Sequence, residues 1–300
     1  MSYRRSFGAV LVELAVNKLY GYILDTPEST KMYLKNRSLV EDNEYILPKR
    51  KYKSRVYETR KKGCKIIVFD GDHNKNSNDV IMYVHGGGYA GEMTKYHAIF
   101  CDNLAKGSKR TVIAPIYPLA PNHTYQQTYD IILDIYKSLI SKGRSVILTG
   151  DSAGGGFAAA FCQYLNRHDI PGPQKLILIS PWLDLSMSGN NYKKYEAVDP
   201  ILKVEGLIVM GKAWAGDTDT KHYMLSPIYG NIDCLPRTLI FAGTREVFYP
   251  DIVAFYKKFS NKEKVRLIAG RGMNHVYPLY PVPEAKKAMR QIISFVNAPS

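Results

Sequence analysis

Between Asp79 and Ser180 the chain alternates short apolar runs with longer helical stretches. The runs are Val80-Ile81-Met82-Tyr83-Val84, Thr111 to Ile116, Ser145 to Thr149 and Lys175 to Ser180. Each is short, apolar throughout and bounded by polar or turn residues, which is the mark of a strand buried on both faces. Helical spacing fills the gaps at Thr94 to Lys106 and Thr124 to Ser141, where Ile131, Ile132, Ile135 and Leu139 share one side. Such βαβ units put helices on both faces of a twisted, mostly parallel sheet, so the expected fold is α/β. Upstream, Tyr52 to Glu58 and Cys64 to Phe69 flank Arg60-Lys61-Lys62-Gly63 and predict an antiparallel hairpin, followed by a polar loop over 71–78. Downstream, the rhythm breaks between Trp182 and Pro236, where the one helical stretch is Leu202 to Trp214. It resumes with strands at Arg237 to Ala242 and Val265 to Ala269 and helices at Ile252 to Phe259 and Pro283 to Val296. An insertion of that size reads as a lid. The expected division is a first cap piece over 1–50, core over 51–182, a cap insertion over 183–236 and core again over 237–300.

A chain of 300 residues can bury a large core, and 45% apolar with 23% charged residues is ordinary for a globular protein. Forty-one basic against 27 acidic residues give a net charge of +14. The densest basic cluster runs from Lys49 to Lys65, interleaved with Tyr52 and Tyr57. No nucleic-acid recognition motif accompanies it, so it reads as the charged edge of the hairpin, and no nucleic-acid partner is expected. Cys64, Cys101, Cys162 and Cys234 lack C-x-x-C spacing and read as reduced, mostly buried thiols of a cytoplasmic protein. Arg4-Arg5 before Phe7 to Val12 faintly resembles a signal peptide, but Glu13, Asn17 and Lys18 interrupt it and no small-residue cleavage site follows. No segment approaches the roughly 20 apolar residues that span a bilayer. Leu11, Leu14, Ala15, Lys18 and Leu19 have helical spacing and predict an amphipathic helix that covers a protein surface, peripheral membrane contact being the less favoured use.

The chemistry concentrates in three places. Gly150-Asp151-Ser152-Ala153-Gly154 follows an apolar strand and precedes the small-residue run Gly155 to Ala160. That is a nucleophile elbow, a sharp turn that presents the serine hydroxyl at a helix N-terminus, where the dipole favours negative charge. His85-Gly86-Gly87-Gly88-Tyr89 follows the strand ending at Val84. A triple-glycine run exposes backbone N–H groups, and Gly86, Gly87 and Gly88 with the Ala153 amide are candidate oxyanion donors. A phosphate loop would continue with Gly-Lys-Ser/Thr, and Tyr89-Ala90-Gly91 does not. Gly272-Met273-Asn274-His275 follows the last strand, and His275 is the candidate base. His73, His97, His123, His168 and His222 sit in loop, helix or cap contexts that point to no chemistry. The acid should follow the preceding strand, where Glu246 and Asp251 compete. Asp251 follows Pro250 at a helix start, where an acid serves the dipole, so Glu246 is preferred.

Together with Tyr117-Pro118-Leu119-Ala120-Pro121 and Ser180-Pro181-Trp182-Leu183-Asp184, these motifs resemble the hormone-sensitive-lipase-like esterases of the α/β-hydrolase superfamily, from about Val80 to the C-terminus. The resemblance implies a triad of Ser152, Glu246 and His275, and a cap built from the N-terminal segment and the 183–236 insertion. Glu246 stands where such enzymes generally carry Asp. The implied activity is hydrolysis of small to medium acyl esters through an acyl-enzyme, with no metal or cofactor. Tyr89, Trp182, Trp214 and Phe248 are candidates to line an apolar substrate pocket. An amidase or peptidase on the same scaffold, and a non-catalytic binding protein, are the alternatives. The oligomeric state is not legible.

Overall fold

In the computed structural model, residues 5–40, 45–71 and 78–299 are described; Arg4, His73 and most of the 71–78 loop lie outside them. The chain opens with α1 (Phe7–Tyr20) and α2 (Pro27–Arg37), then the hairpin β1 (Arg55–Lys61) and β2 (Cys64–Asp70). The turn falls on Lys62 and Gly63, at φ +45° and +78°. Two consecutive left-handed residues match the twist of a two-residue hairpin, and glycine is the residue that adopts the second without strain. The βα rhythm follows as β3 (Asp79–Val84), α3 (Lys95–Ser108), β4 (Thr111–Pro115), α4 (Tyr125–Ile140), β5 (Ser145–Asp151), α5 (Ser152–Arg167) and β6 (Lys175–Ile179). After the insertion, with α6 (Tyr192–Glu196) and α7 (Val204–Ala215), come β7 (Arg237–Gly243), α8 (Tyr249–Lys258), β8 (Val265–Gly270) and α9 (Pro283–Asn297). The short α6 carries no sequence period that would have announced it.

The strands form one sheet in the order β1-β2-β4-β3-β5-β6-β7-β8. β2 pairs antiparallel with β1 and β4, and β3 to β8 are parallel. Side chains alternate between two cores. Met82, Leu148, Leu178 and Ile240 face α4, α5 and α8 with Ile132, Phe157 and Ile252. Ile81, Ile147, Ile177 and Phe241 face α3 and α9 with Leu104 and Ile292. Both faces are therefore dry, which is why the strands read as continuous apolar runs rather than alternating ones.

The N-terminal helices lie against the insertion. Asn17 donates to the Pro200 carbonyl at 2.7 Å. α2 begins at a capping box between Thr26 and Ser29, and α7 lies so close to the α1–α2 connection that a Cβ on Gly206 would sit 2.4 Å from the Leu24 carbonyl. The latter part of the insertion packs elsewhere: Gln163 of α5 and Tyr129 of α4 donate to the carbonyls of Pro227 and Met224. The stripe expected to cover protein on α1 is turned outward instead, with Leu11, Leu14 and Leu19 exposed by 51, 64 and 55%. The packed side carries Ala9 and Val16, and small residues at 8 and 9 let α1 approach Pro283 of α9. Among the described residues no helix is long and apolar enough to cross a membrane. Cys64, Cys101 and Cys162 are buried and Cys234 is partly exposed.

Candidate active site

Parallel register aligns strand ends. Asp151 pairs with Ile179 across β5 and β6, and Gly243 with Gly270 across β7 and β8. With neighbouring strands about 4.8 Å apart, the loops after β5, β7 and β8 leave one edge of the sheet within reach of each other.

Ser152 heads α5 with φ +51°, a backbone state few non-glycine residues adopt. Close approach holds it there: a Cβ on Gly154 would lie 2.1 Å from the Val84 carbonyl, and one on Gly150 2.4 Å from the Gly154 carbonyl. His275 Nε2 lies 2.9 Å from Ser152 Oγ. Its Nδ1 lies 2.8 Å from Glu246 Oε2, and Gly243 N–H donates to Oε1 of the same carboxylate at 3.0 Å. With Nδ1–H donated to Glu246, the Nε2 lone pair faces the serine. The loops that carry these groups are tied together, Arg245 N–H to the Met273 carbonyl at 3.0 Å and Gly272 N–H to Thr244 Oγ1 at 2.8 Å. Burial pulls the His275 pKa down, but the hydrogen bond and charge of Glu246, with Asp199 and Asp151 behind it, outweigh that and leave it above the ordinary value. Asp251, the competing acid, points away and accepts from Tyr192 OH at 2.6 Å.

Gly87 and Gly88 border the same cavity at φ +123° and +62°. Among the described residues their N–H groups, and that of Ala153, have no partner. Gly86 differs from expectation: its N–H already donates to Asp151 Oδ1 at 2.9 Å, so it is not free to meet an oxyanion.

A family model described as the alpha/beta hydrolase fold matches residues 81–279. The chain belongs to the α/β-hydrolase fold family. Among curated proteins, an esterase of Acinetobacter venetianus is 30% identical over 240 residues, 74% of this chain and 76% of its own length. An acetyl-hydrolase of Streptomyces hygroscopicus is 30% identical over 230 residues, 72% and 75% of the two chains. A solved structure of a candidate esterase from Staphylococcus aureus superposes with a TM-score of 0.88 at 26% identity, covering 95% of this chain and 99% of its own. The hydrolase is thus a carboxylic ester hydrolase of the α/β-hydrolase fold.

Two parts of the hydrolase's site were not legible beforehand. The first is a second imidazole–carboxylate pair. His97 Nε2 lies 3.2 Å from Asp151 Oδ2, and Tyr83 OH donates to Oδ1 of the same carboxylate. Burial opposes ionisation of Asp151, but its contacts with His97, Tyr83 and the Gly86 amide prevail and hold its pKa below the usual range. His97 Nδ1 accepts from the Thr94 N–H at 2.8 Å, closing a capping box on α3. The threonine three residues ahead was the available signal, and it announces a cap rather than a clamp. The second is Asp199. Its Oδ1 accepts from the Ile201 and Leu202 amides and its Oδ2 from Val247 N–H, all at 2.9 Å. It ties the insertion to the loop that carries Glu246, and burial pushes its pKa up to about 6. Asp199-Pro200 in sequence looks like any turn.

Ser152 and His275 open on a cavity of about 440 Å³, closed over by residues of α1, α2 and α7 such as Tyr20, Tyr33 and Met210. Of the four aromatic candidates Trp182 alone borders it. Tyr89 stacks on Trp214 at 4.5 Å and on Trp182 at 5.7 Å, and Phe248 stacks on Trp182 at 5.7 Å. These three rings form the wall behind the cavity, because a buried aromatic gains most from another ring. His85 is likewise structural. It stacks on Tyr117, its Nδ1 bonds the Gly86 carbonyl at 2.8 Å, and burial lowers its pKa to about 4. Among the described residues no group of three or more His, Cys, Asp or Glu side chains could hold a metal.

Proposed function

We propose that the hydrolase cleaves esters of small to medium acyl chains through a Ser152 acyl-enzyme, with His275 as base and then acid and Glu246 as its orienter. The observation that carries this reading is the continuous hydrogen-bonded row from Glu246 through His275 to the Ser152 hydroxyl, opening on a cavity. Ser152 Oγ attacks the carbonyl carbon while His275 Nε2 takes its proton. The charge that develops on the carbonyl oxygen meets the N–H groups of Gly87, Gly88 and Ala153 and the N-terminus of α5. His275 returns the proton to the leaving alcohol, and water repeats the sequence on the acyl-enzyme. Gly86 acts one step back, since its bond to Asp151 fixes the strand end from which the donors project. The N-terminal helices and the pocket-facing part of the 183–236 insertion serve as the cap that bounds acyl length. A fluorophosphonate should label the protein at one serine and abolish hydrolysis of p-nitrophenyl butanoate, and Ser152→Ala should lose both label and turnover. Labelling of the Ser152→Ala protein with turnover intact would overturn the assignment.

A further inference from the structure

Five tyrosines border the cavity that holds Ser152; Tyr22 is largely exposed, and the other four are Tyr20 of α1, Tyr33 of α2, Tyr96 of α3 and Tyr280 after β8. These four are partly buried, and Tyr96 meets Tyr280 edge to face at 5.6 Å. Among the described residues none of the four hydroxyls has a hydrogen-bond partner. Several tyrosines in the body of the fold differ, although among the described residues the buried Tyr45 hydroxyl also lacks a partner. Tyr117, Tyr129 and Tyr136 each donate to a main-chain carbonyl at 2.7 to 2.9 Å, and Tyr192 to Asp251. Burial pushes the pKa of Tyr20, Tyr33 and Tyr280 up, so these phenols stay protonated and can both donate and accept.

Where the fold supplies a hydroxyl on the cavity wall with no partner, water or ligand meets it. A hydrocarbon chain entering this cavity would displace water and leave the phenols unmatched. A chain with oxygens along it would replace each water bond with its own, while its CH faces lie against the rings. A site built this way discriminates against analogues that lack the polar group, because its own groups then lose their partners. We propose that the cavity selects esters that carry hydroxyl or ether oxygens beyond the scissile group, in the manner of acylated polyols, over hydrocarbon esters of equal length. The proposal rests on the ester-hydrolase reading of the site.

Two matched pairs test it on either side of the ester bond: glycerol 1-acetate against propyl acetate, and p-nitrophenyl 3-hydroxybutanoate against p-nitrophenyl butanoate. The oxygenated member of at least one pair should show kcat/KM higher by about tenfold, the value of one or two net hydrogen bonds. The ratio should fall toward one in Tyr33→Phe/Tyr280→Phe or Tyr20→Phe/Tyr96→Phe, which keep the rings and remove only hydroxyls. Equal or hydrocarbon-favouring rates in both pairs, or a ratio unchanged in both double variants, would overturn the proposal and leave the esterase standing. No turnover of any of the four esters, together with no fluorophosphonate labelling, would instead bring down the ester-hydrolase reading itself.

Discussion

Two imidazole–carboxylate pairs flank Ser152, and they differ in the nitrogen that the carboxylate leaves over. In His275–Glu246 the contact is 2.8 Å, and the remaining Nε2 faces the serine hydroxyl at 2.9 Å. In His97–Asp151 the contact is 3.2 Å, and the remaining Nδ1 is closed by the Thr94 amide at 2.8 Å. Both histidines are buried beside one cavity. In the proposed mechanism, pairing with an acid therefore does not by itself make a base; the open second nitrogen does. The closed pair acts as a clamp: its carboxylate also holds Gly86 N–H and Tyr83 OH, and so sets the loop that aims Gly87 and Gly88.

The largest expected effect separates the two histidines. His275→Ala should lower kcat on p-nitrophenyl butanoate by about 10⁴-fold or more, as removal of a base from such a unit does. His97→Ala should cost about 10- to 100-fold, no more than the roughly 10²- to 10³-fold loss of one oxyanion donor. Equal losses would erase the distinction. Next come the carboxylates: Glu246→Gln should cost about 10²- to 10⁴-fold in kcat, whereas Asp251→Asn, buried but bonded to Tyr192 away from the site, should cost less than about threefold in kcat, because Asn can still accept that hydrogen bond. The reverse order would hand the acid role to Asp251. The smallest effect is a shift in pH. In the proposed mechanism His275 must be neutral to accept the serine proton, and its pKa is raised, so kcat/KM should fall as pH drops through a value above the ordinary imidazole figure of about 6.5. Glu246→Gln removes the main raising influence and leaves burial, which lowers, so its residual activity should persist to lower pH. An acid limb that does not move between the two proteins would show that His275 is not the group that titrates.

The elbow, the glycine run and the terminal histidine are readable because each is spelled by a few consecutive residues directly after an apolar strand run. Gly150 and Gly154 permit the close approach that holds Ser152 at positive φ, and the apolar β5 run before them fixes the strand. The sequence favours Glu246 over Asp251 by its place in the loop and by the helix start that Asp251 occupies, and Glu246 is the carboxylate that bonds His275. Gly86 was misjudged as a donor because its partner, Asp151, lies 65 residues away, and nothing local to the glycine run reveals that its amide is taken. Tyr89, Trp214 and Phe248 were placed at the pocket when they form the wall behind it, since aromatic content does not say which side of a ring is open. On α1 the apolar stripe was real but its direction was not, for an amphipathic count cannot tell which face a neighbouring helix will take.

The sequence by itself determined the strands, the helices and the kinds of group that would gather at the strand ends, because backbone sterics and hydrophobic period act over a few residues. Only the tertiary structure decided which nitrogen stays open, which amide is free and which phenols meet no partner. Those depend on groups brought together from distant parts of the chain by the parallel register of one sheet, and a hydrogen bond exists or not within a few tenths of an ångström.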